Sequence, residues 1–313
     1  MARNLLDVAD LSCDDLDSIL AAASRPTGEF RRVLEGKGVA LVFEKPSLRT
    51  RNSTELAVVA LGGHPIYMQA EEVGIGVREE PEDIARVLGA YHAVICARVM
   101  RHETLERMAA VLDDGGNNGG NIRVPVVNLL SDLAHPCQAI ADMLTVRQVF
   151  GDSGGRILAY VGDANNVFRS LMQAAAMMGM TLRCASPEGY GPRDDDVALI
   201  AGRGGELEIY SDPSDAVAGA DVIYTDTWVS MGDEHEAELR RKVFAGYTVD
   251  DEMLELASRD AIVMHCLPAH RGEEITHSVL CGSKSAVWKQ VANRLPATTS
   301  VLAWVTGAWG LEP

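Results

Sequence analysis

Short apolar runs rich in β-branched residues alternate with longer stretches of helical period almost from end to end of the chain. That alternation restricts it to parallel sheets joined by crossover helices. In the first half the strand-like runs lie near 38–43 (GVALVF), 65–68, 93–98 (AVICAR) and 124–129, and the helix-like stretches near 48–61, 81–90, 103–112 and 136–150. The pattern restarts at 156–163 (RILAYVGD), continues through a Met- and Ala-rich helix near 166–179, and adds strands near 181–185, 207–210, 221–225 and 261–265. The fold class is therefore α/β, with two doubly wound parallel-sheet lobes and a cleft. The 313 residues, 47% of them hydrophobic, are enough for two cores of roughly 150 residues each. Asp113 to Asn121, DDGGNNGGN, has turn formers and no apolar position, and is expected to be a surface loop. From about Ser285 to Trp309 the chain is helical and amphipathic, but periodicity alone does not say which lobe it covers.

Charge narrows the partners. With 28 basic and 45 acidic residues the formal charge is −17. The long-range field repels phosphate backbones and anionic membranes, so neither nucleic acid nor a membrane is expected as a partner. A small anionic substrate would be repelled too, and must be captured by a locally positive pocket rather than steered from afar. No apolar run approaches about 18 residues, and the N-terminal MARNLLDVADLS has acids and no long apolar core, so the expected setting is cytoplasmic. The six cysteines are scattered without a C-x-x-C pair and are expected to be reduced thiols.

The densest motif is Ser47-Leu48-Arg49-Thr50-Arg51, directly after the strand GVALVF and at the start of a helix. A strand-to-helix junction presents unpaired backbone N–H groups and a positive dipole end, to which this one adds guanidinium and hydroxyl groups. That is the chemistry of a phosphate cradle. Ordinary N-capping explains Ser47, but not two arginines flanking Thr50. His135-Pro136-Cys137-Gln138 opens another helix after VPVVNLL, at the sheet edge where open α/β folds bind ligands. Neutral His and Gln can donate to a carbonyl oxygen that turns negative under nucleophilic attack, and Arg98, ending AVICAR, stands at the same edge. A lone histidine there is more often structural.

In the second half Gly162-Asp163-Ala164-Asn165-Asn166 ends the first strand where a dinucleotide fold carries its glycine fingerprint. G-x-G-x-x-G is absent, which disfavours a nicotinamide-dependent dehydrogenase. The asparagines offer donors and acceptors suited to an amino-acid head group. DVIYTDTWVSMGDE puts Asp226, Ser230 and Met231 on a loop after a strand, and HCLP puts His265 and Cys266 at the end of the next. Asp226 could bind a substrate ammonium, and Cys266 could orient or deprotonate it, although an isolated cysteine in an apolar strand is more often a buried thiol. The His and Cys residues lack zinc-site spacing, and neither a metal nor an organic cofactor is expected.

Taken together, Phe43-Glu44-Lys45-Pro46 with the S-x-R-T-R motif, His135-Pro136-Cys137-Gln138, Gly162-Asp163 with the Asn pair, Ser230-Met231-Gly232, His265-Cys266-Leu267-Pro268 and Asn293-Arg294 resemble the ornithine carbamoyltransferases over nearly the whole chain. The resemblance implies transfer of the carbamoyl group of carbamoyl phosphate to the δ-amine of L-ornithine, giving L-citrulline and phosphate, in arginine biosynthesis. It implies that Ser47, Leu48 through its backbone, Arg49, Thr50, Arg98, His135, Gln138 and Arg294 hold carbamoyl phosphate, with Cys266 and the backbone carbonyl of Leu267 beside it. Asn166, Asp226, Ser230 and Met231 would hold ornithine, and Cys266, Arg98 and His135 would serve the chemistry. It further implies a carbamoyl phosphate domain over 1–145 completed by the C-terminal helix 286–313, an ornithine domain over 146–285, and a homotrimer with active sites near subunit interfaces. The family's C-terminal helix packs back on the first lobe.

Two positions depart from the family. Leu48 stands where a threonine is common, which removes a hydroxyl and leaves the backbone N–H. In VGIGVREE at 73–80, Gly74 appears where relatives lend Gln or His to a neighbouring subunit's phosphate. Arg78 is the cation that could replace it, unless it only pairs with the glutamates around it. Other acceptors within the family, namely aspartate, putrescine or an acylated ornithine, remain rivals to ornithine, as does a catalytically silent homologue.

Overall fold

The computed structural model describes residues 3–113, 123–229 and 234–307. The chain divides into two compact units: Met1–Leu144 with Asn293–Pro313, and Thr145–Ala292.

The first unit is built on a four-stranded parallel sheet of β1 (Gly38–Phe43), β2 (His64–Gln69), β3 (His92–Arg98) and β4 (Val126–Leu130), in the order β2-β1-β3-β4. The interior strands β1 and β3 are covered on both faces, so they run as near-continuous apolar sequence, whereas the edge strand β2 stays partly exposed. Ala40, Val42, Ile95 and Ala97 of those strands pack with Ile84, Leu88, Leu105 and Met108 from the helices Pro81–Tyr91 and His102–Asp113. Residues 1–37 lack a clear period, yet they contain the helix Cys13–Ala23, started by a Ser12–Asp15 capping box. The last helix, Val287–Val305, returns to this helix within the first unit: Ser300 Oγ donates to the Ile19 carbonyl at 2.8 Å, and Trp304 Nε1 to Asp15 Oδ1 at 3.0 Å.

The second unit carries five parallel strands, β5 (Ile157–Val161), β6 (Thr181–Ala185), β7 (Leu207–Tyr210), β8 (Val222–Thr225) and β9 (Ile262–His265), ordered β7-β6-β5-β8-β9. Its core includes Ala159, Val161, Ile223 and Val263 of the sheet with Val217, Met253, Val279 and Leu280 around them. Both sheets are doubly wound as expected. The direction of winding reverses between β1 and β3 in one unit and between β5 and β8 in the other, and outside the carboxyl ends at such a switch point an open sheet leaves a crevice. Those four strand ends lead into Ser47–Thr50, Arg98, Asp163–Asn166 and Asp226.

Candidate active site

At the first switch point Ser47 caps the helix Leu48–Ala60, its hydroxyl accepting the Thr50 N–H at 3.4 Å. Leu48 follows with its side chain in solvent, 76% exposed, so packing does not use it. Arg49 is half-buried and Thr50 fully buried. Arg98 ends β3, buried between its register partners Phe43 and Leu130. His135 precedes the helix Pro136–Phe150, and its carbonyl accepts the N–H groups of Gln138 and Ala139. Arg294, buried on the last helix, donates to Gln138 Oε1 and, at 3.5 Å, to Thr50 Oγ1. Gln138 in turn donates through Nε2 to Asp142 Oδ1 at 2.8 Å, which fixes the amide's orientation and leaves the second Nε2 hydrogen for another acceptor. Ser47, Arg49, Thr50, Arg98, His135, Gln138 and Arg294 thus belong to one neighbourhood of the first unit.

Its electrostatics are legible at His135. Burial, then the charges of Arg294, Arg98 and Arg49, hold this imidazole well below the usual histidine range, so it is neutral at pH 7. Three guanidiniums felt at one buried ring make a locally positive pocket in an acidic chain, as an anion site requires. Cys137, next to it, is a buried thiol pushed up to about 11 by burial, and its role is packing.

Arg51 corrects the sequence expectation. Its guanidinium pairs with Glu55 Oε1 at 2.8 Å and lies 3.7 Å from the Tyr67 ring centroid, away from the cradle. Successive helical residues turn by about 100°, so Arg49 and Arg51 face nearly opposite ways. The turn at 74–79 closes on Gly74, whose carbonyl accepts the Arg78 N–H at 2.8 Å. Gly74 has φ +66°, and a Cβ there would lie 2.9 Å from Arg78 Cδ. Arg78 is exposed, while nearby Glu80 is taken by Arg107 and Glu72 by the Gln69 N–H.

In the second unit Asp226 is the hub. Buried just past β8, it accepts the Cys266 thiol at 3.0 Å and the Thr227 N–H at 2.8 Å on Oδ1, and Asn165 Nδ2 at 3.0 Å on Oδ2. Asn165 also caps the helix Asn166–Met177, so it is committed to structure rather than to a head group. Asn166 opens the same helix, half-buried. Cys266 and Leu267 follow β9, and Leu267 adopts φ +61°, rare for a side chain without a local hydrogen-bonding group and found chiefly at functional turns. Ser230 and Met231 lie outside the described residues. Asp226, His265 and Cys266 place possible ligand atoms within 4.8 Å of one another. His265, however, spends Nδ1 on the Leu267 N–H and turns Nε2 to Glu274, so its lone pair is not open to a cation.

Sequence reasoning missed Arg240, in a stretch (ELRRK) that looks like a solvated helical face. It is buried, donating to Asp163 Oδ2 at 2.8 Å and the Trp228 carbonyl at 2.9 Å, and it ties the end of β5 to the loop after β8.

Residues 3–148 match the aspartate/ornithine carbamoyltransferase carbamoyl-P binding domain, and residues 154–305 match the Asp/Orn binding domain of the same enzymes. The chain is 46% identical to an ornithine carbamoyltransferase of Acidothermus cellulolyticus, covering 99% of this chain and 98% of the relative. It is 43% identical to an anabolic ornithine carbamoyltransferase of Pyrococcus furiosus over 97% and 96% of the two chains. The solved structure of an ornithine carbamoyltransferase from that organism superposes with a TM-score of 0.90 at 42% identity, over 99% of this chain and 98% of the other. The chain belongs to the aspartate/ornithine carbamoyltransferase family.

Proposed function

We propose that this chain is an ornithine carbamoyltransferase, making L-citrulline and phosphate from carbamoyl phosphate and L-ornithine in arginine biosynthesis. The observation that carries the reading is the cluster of Arg49, Arg98 and Arg294 about a His135 held neutral. The first unit takes carbamoyl phosphate, with the helix N-terminus at Ser47, Leu48 and Thr50 and the guanidinium of Arg49 on the phosphate. Arg98, His135 and Gln138 face the carbamoyl oxygen. A neutral imidazole donates a hydrogen bond there without adding a fourth charge, and the donors strengthen their hold as the oxygen turns negative.

The second unit takes ornithine through Asn166, Asp226, Ser230 and Met231. The neutral δ-amine attacks the carbonyl carbon, the bond to the phosphate oxygen breaks, and phosphate leaves with the electron pair while the amine loses its proton. Asp226, with Cys266 on its carboxylate and the Leu267 carbonyl nearby, orients the amine for that step. A carboxylate suits an amine-bearing acceptor and not the second carboxylate of aspartate. Putrescine would leave the contacts to an amino-acid carboxylate unused. Domains over 1–145 with 286–313 and over 146–285, a homotrimer with active sites near subunit interfaces, and a cytoplasmic setting complete the reading. None of the six cysteines is in a disulfide, and among the described residues no helix is long and apolar enough to cross a membrane.

The test is carbamoylation of ornithine, putrescine, N-acetylornithine and aspartate side by side. Ornithine should exceed the others in kcat/KM, and preference for another amine would overturn the assignment.

A further inference from the structure

Two loops of the second unit meet where the Cys266 thiol donates to Asp226, one after β8 with Asp226, Thr227 and Val229, and one after β9 with Cys266 and Leu267. A hydrogen-bonded chain joins them. The Leu267 N–H donates to His265 Nδ1 at 2.8 Å, and His265 Nε2 meets Glu274 Oε1 at 3.1 Å, both side chains being wholly buried. The same Glu274 oxygen accepts the backbone N–H of His270. His270 then reaches across through Nδ1 to Thr227 Oγ1 at 3.0 Å.

Counting protons fixes the direction of that last contact. The Thr227 hydroxyl has one hydrogen and gives it to the Val229 carbonyl at 3.1 Å, so the remaining contact requires His270 Nδ1 to be the donor. Thr227 is thereby held on both sides: its N–H lies on Asp226 Oδ1, and its hydroxyl bridges His270 and Val229, the residue before Ser230 and Met231.

We infer that His270 is a positioning residue for the amine substrate, latching the loop of Asp226 to the loop of Cys266 through Thr227. The inference rests on the assignment of ornithine to these loops. A latch that holds the two loops together lowers the ordering cost that binding must meet. Its loss weakens ground state and transition state alike, which raises KM for ornithine and spares kcat. Carbamoyl phosphate meets these loops only at Cys266 and the Leu267 carbonyl, and its phosphate is assigned to the other unit, so its KM should change less than that of ornithine.

Half of the His270 side chain is in solvent, so the ring can be replaced without opening a core. The experiment measures steady-state kinetics for both substrates in His270→Leu, His270→Asn, Thr227→Val, Thr227→Ser and the double variant His270→Leu/Thr227→Val. Losing one hydrogen bond corresponds to about a fivefold rise in ornithine KM for His270→Leu and for Thr227→Val. Asparagine carries a donor where Nδ1 stood and serine keeps the hydroxyl, so His270→Asn and Thr227→Ser should stay near the parent. The double variant should be no worse than the worse single one, because both remove the same contact. Unchanged ornithine KM in His270→Leu, additive losses in the double variant, or a parallel rise in the carbamoyl phosphate KM would overturn the inference while leaving the enzyme's activity in place. A parent chain that makes no citrulline from ornithine overturns the functional reading instead, and the latch with it.

Discussion

Replacing Arg49 with alanine should uncouple carbamoyl phosphate from the stability of the first unit, while the same change at Arg51 should not. Arg49 contributes to the positive potential at His135, whereas Arg51 is bound to Glu55 and stacked on Tyr67. A ligand at a hundred times its Kd stabilises the state that binds it by about 2.7 kcal/mol. With a urea m-value of about 2 kcal/mol/M, that moves the unfolding midpoint by about 1.3 M. Losing a donor that holds developing or full negative charge costs about 3 kcal/mol, or roughly 150-fold in affinity. At the same ligand concentration the ratio to Kd falls to about 0.7, the stabilisation to about 0.3 kcal/mol and the midpoint shift to about 0.15 M. The assay is urea unfolding at 25 °C with and without carbamoyl phosphate, for the parent, Arg49→Ala and Arg51→Ala. Arg51→Ala should keep the parent's shift. Equal shifts in the parent and Arg49→Ala, or equal losses in both variants, would refute the assignment of the phosphate to the face that Arg49 shares with Arg98 and Arg294.

Asp226→Asn should raise ornithine KM by about tenfold to a hundredfold, the range for losing a charge-assisted hydrogen bond, while calorimetric titration of carbamoyl phosphate stays near the parent; a comparable loss there would contradict the division of substrates between units. His135 is held neutral when folded but takes a proton below about pH 6.5 when unfolded, so stability falls with pH below that point by up to about 1.4 kcal/mol per unit until the lowered folded value is reached. His135→Asn should flatten that slope in urea unfolding across the same window, and an unchanged slope would place the titration elsewhere. Arg78→Ala should raise the carbamoyl phosphate KM severalfold, as expected for a guanidinium lent to phosphate across the proposed trimer, and mixing it with Arg49→Ala subunits should restore some activity; unchanged kinetics would confine the phosphate site to one subunit.

The strands were legible because burial writes directly into sequence. β1, β3, β5, β8 and β9 are enclosed, and each is a compact run of Val, Ile, Leu or Ala that survives one- or two-residue errors at its ends. Their order was not legible, since an apolar run records that a strand is covered and not which strand lies beside it. Short helices such as Asp194–Gly202 and Ala237–Val243 also escaped: one starts on three aspartates and the other is mostly charged, so neither shows an apolar stripe. At the site, the local junctions at Ser47 and His135 were visible because strand end, cap and motif are adjacent. The pairing of Gln138 with Arg294 spans 156 residues and that of Thr50 with Arg294 spans 244, and no local pattern encodes either. Arg294 entered only through family resemblance. The difference between Arg49 and Arg51 needed no long-range information, because two residues of helix already turn their side chains to opposite sides.

The net charge is the property that misleads most about this site. A chain of −17 repels an anion at long range, yet at His135 burial, and after it the charges of Arg294, Arg98 and Arg49, deny the ring a proton. Both hold because screening cuts surface charges off within about 10 Å, while a pocket walled by buried groups is screened far less. The fold exploits this by drawing its guanidiniums from separate elements, Arg49 at a helix start, Arg98 at a strand end and Arg294 on the returning last helix. Arg294 is hydrogen-bonded to an amide and a hydroxyl, Gln138 and Thr50, which satisfy N–H groups without cancelling charge. Each of those neutral partners preserves field for a phosphate, and a carboxylate at either position would satisfy the same N–H groups and weaken the site. Gln138→Glu therefore isolates the principle: it keeps size and an acceptor for Arg294, faces Asp142 with a second acid, and should cost carbamoyl phosphate affinity more than Gln138→Leu does.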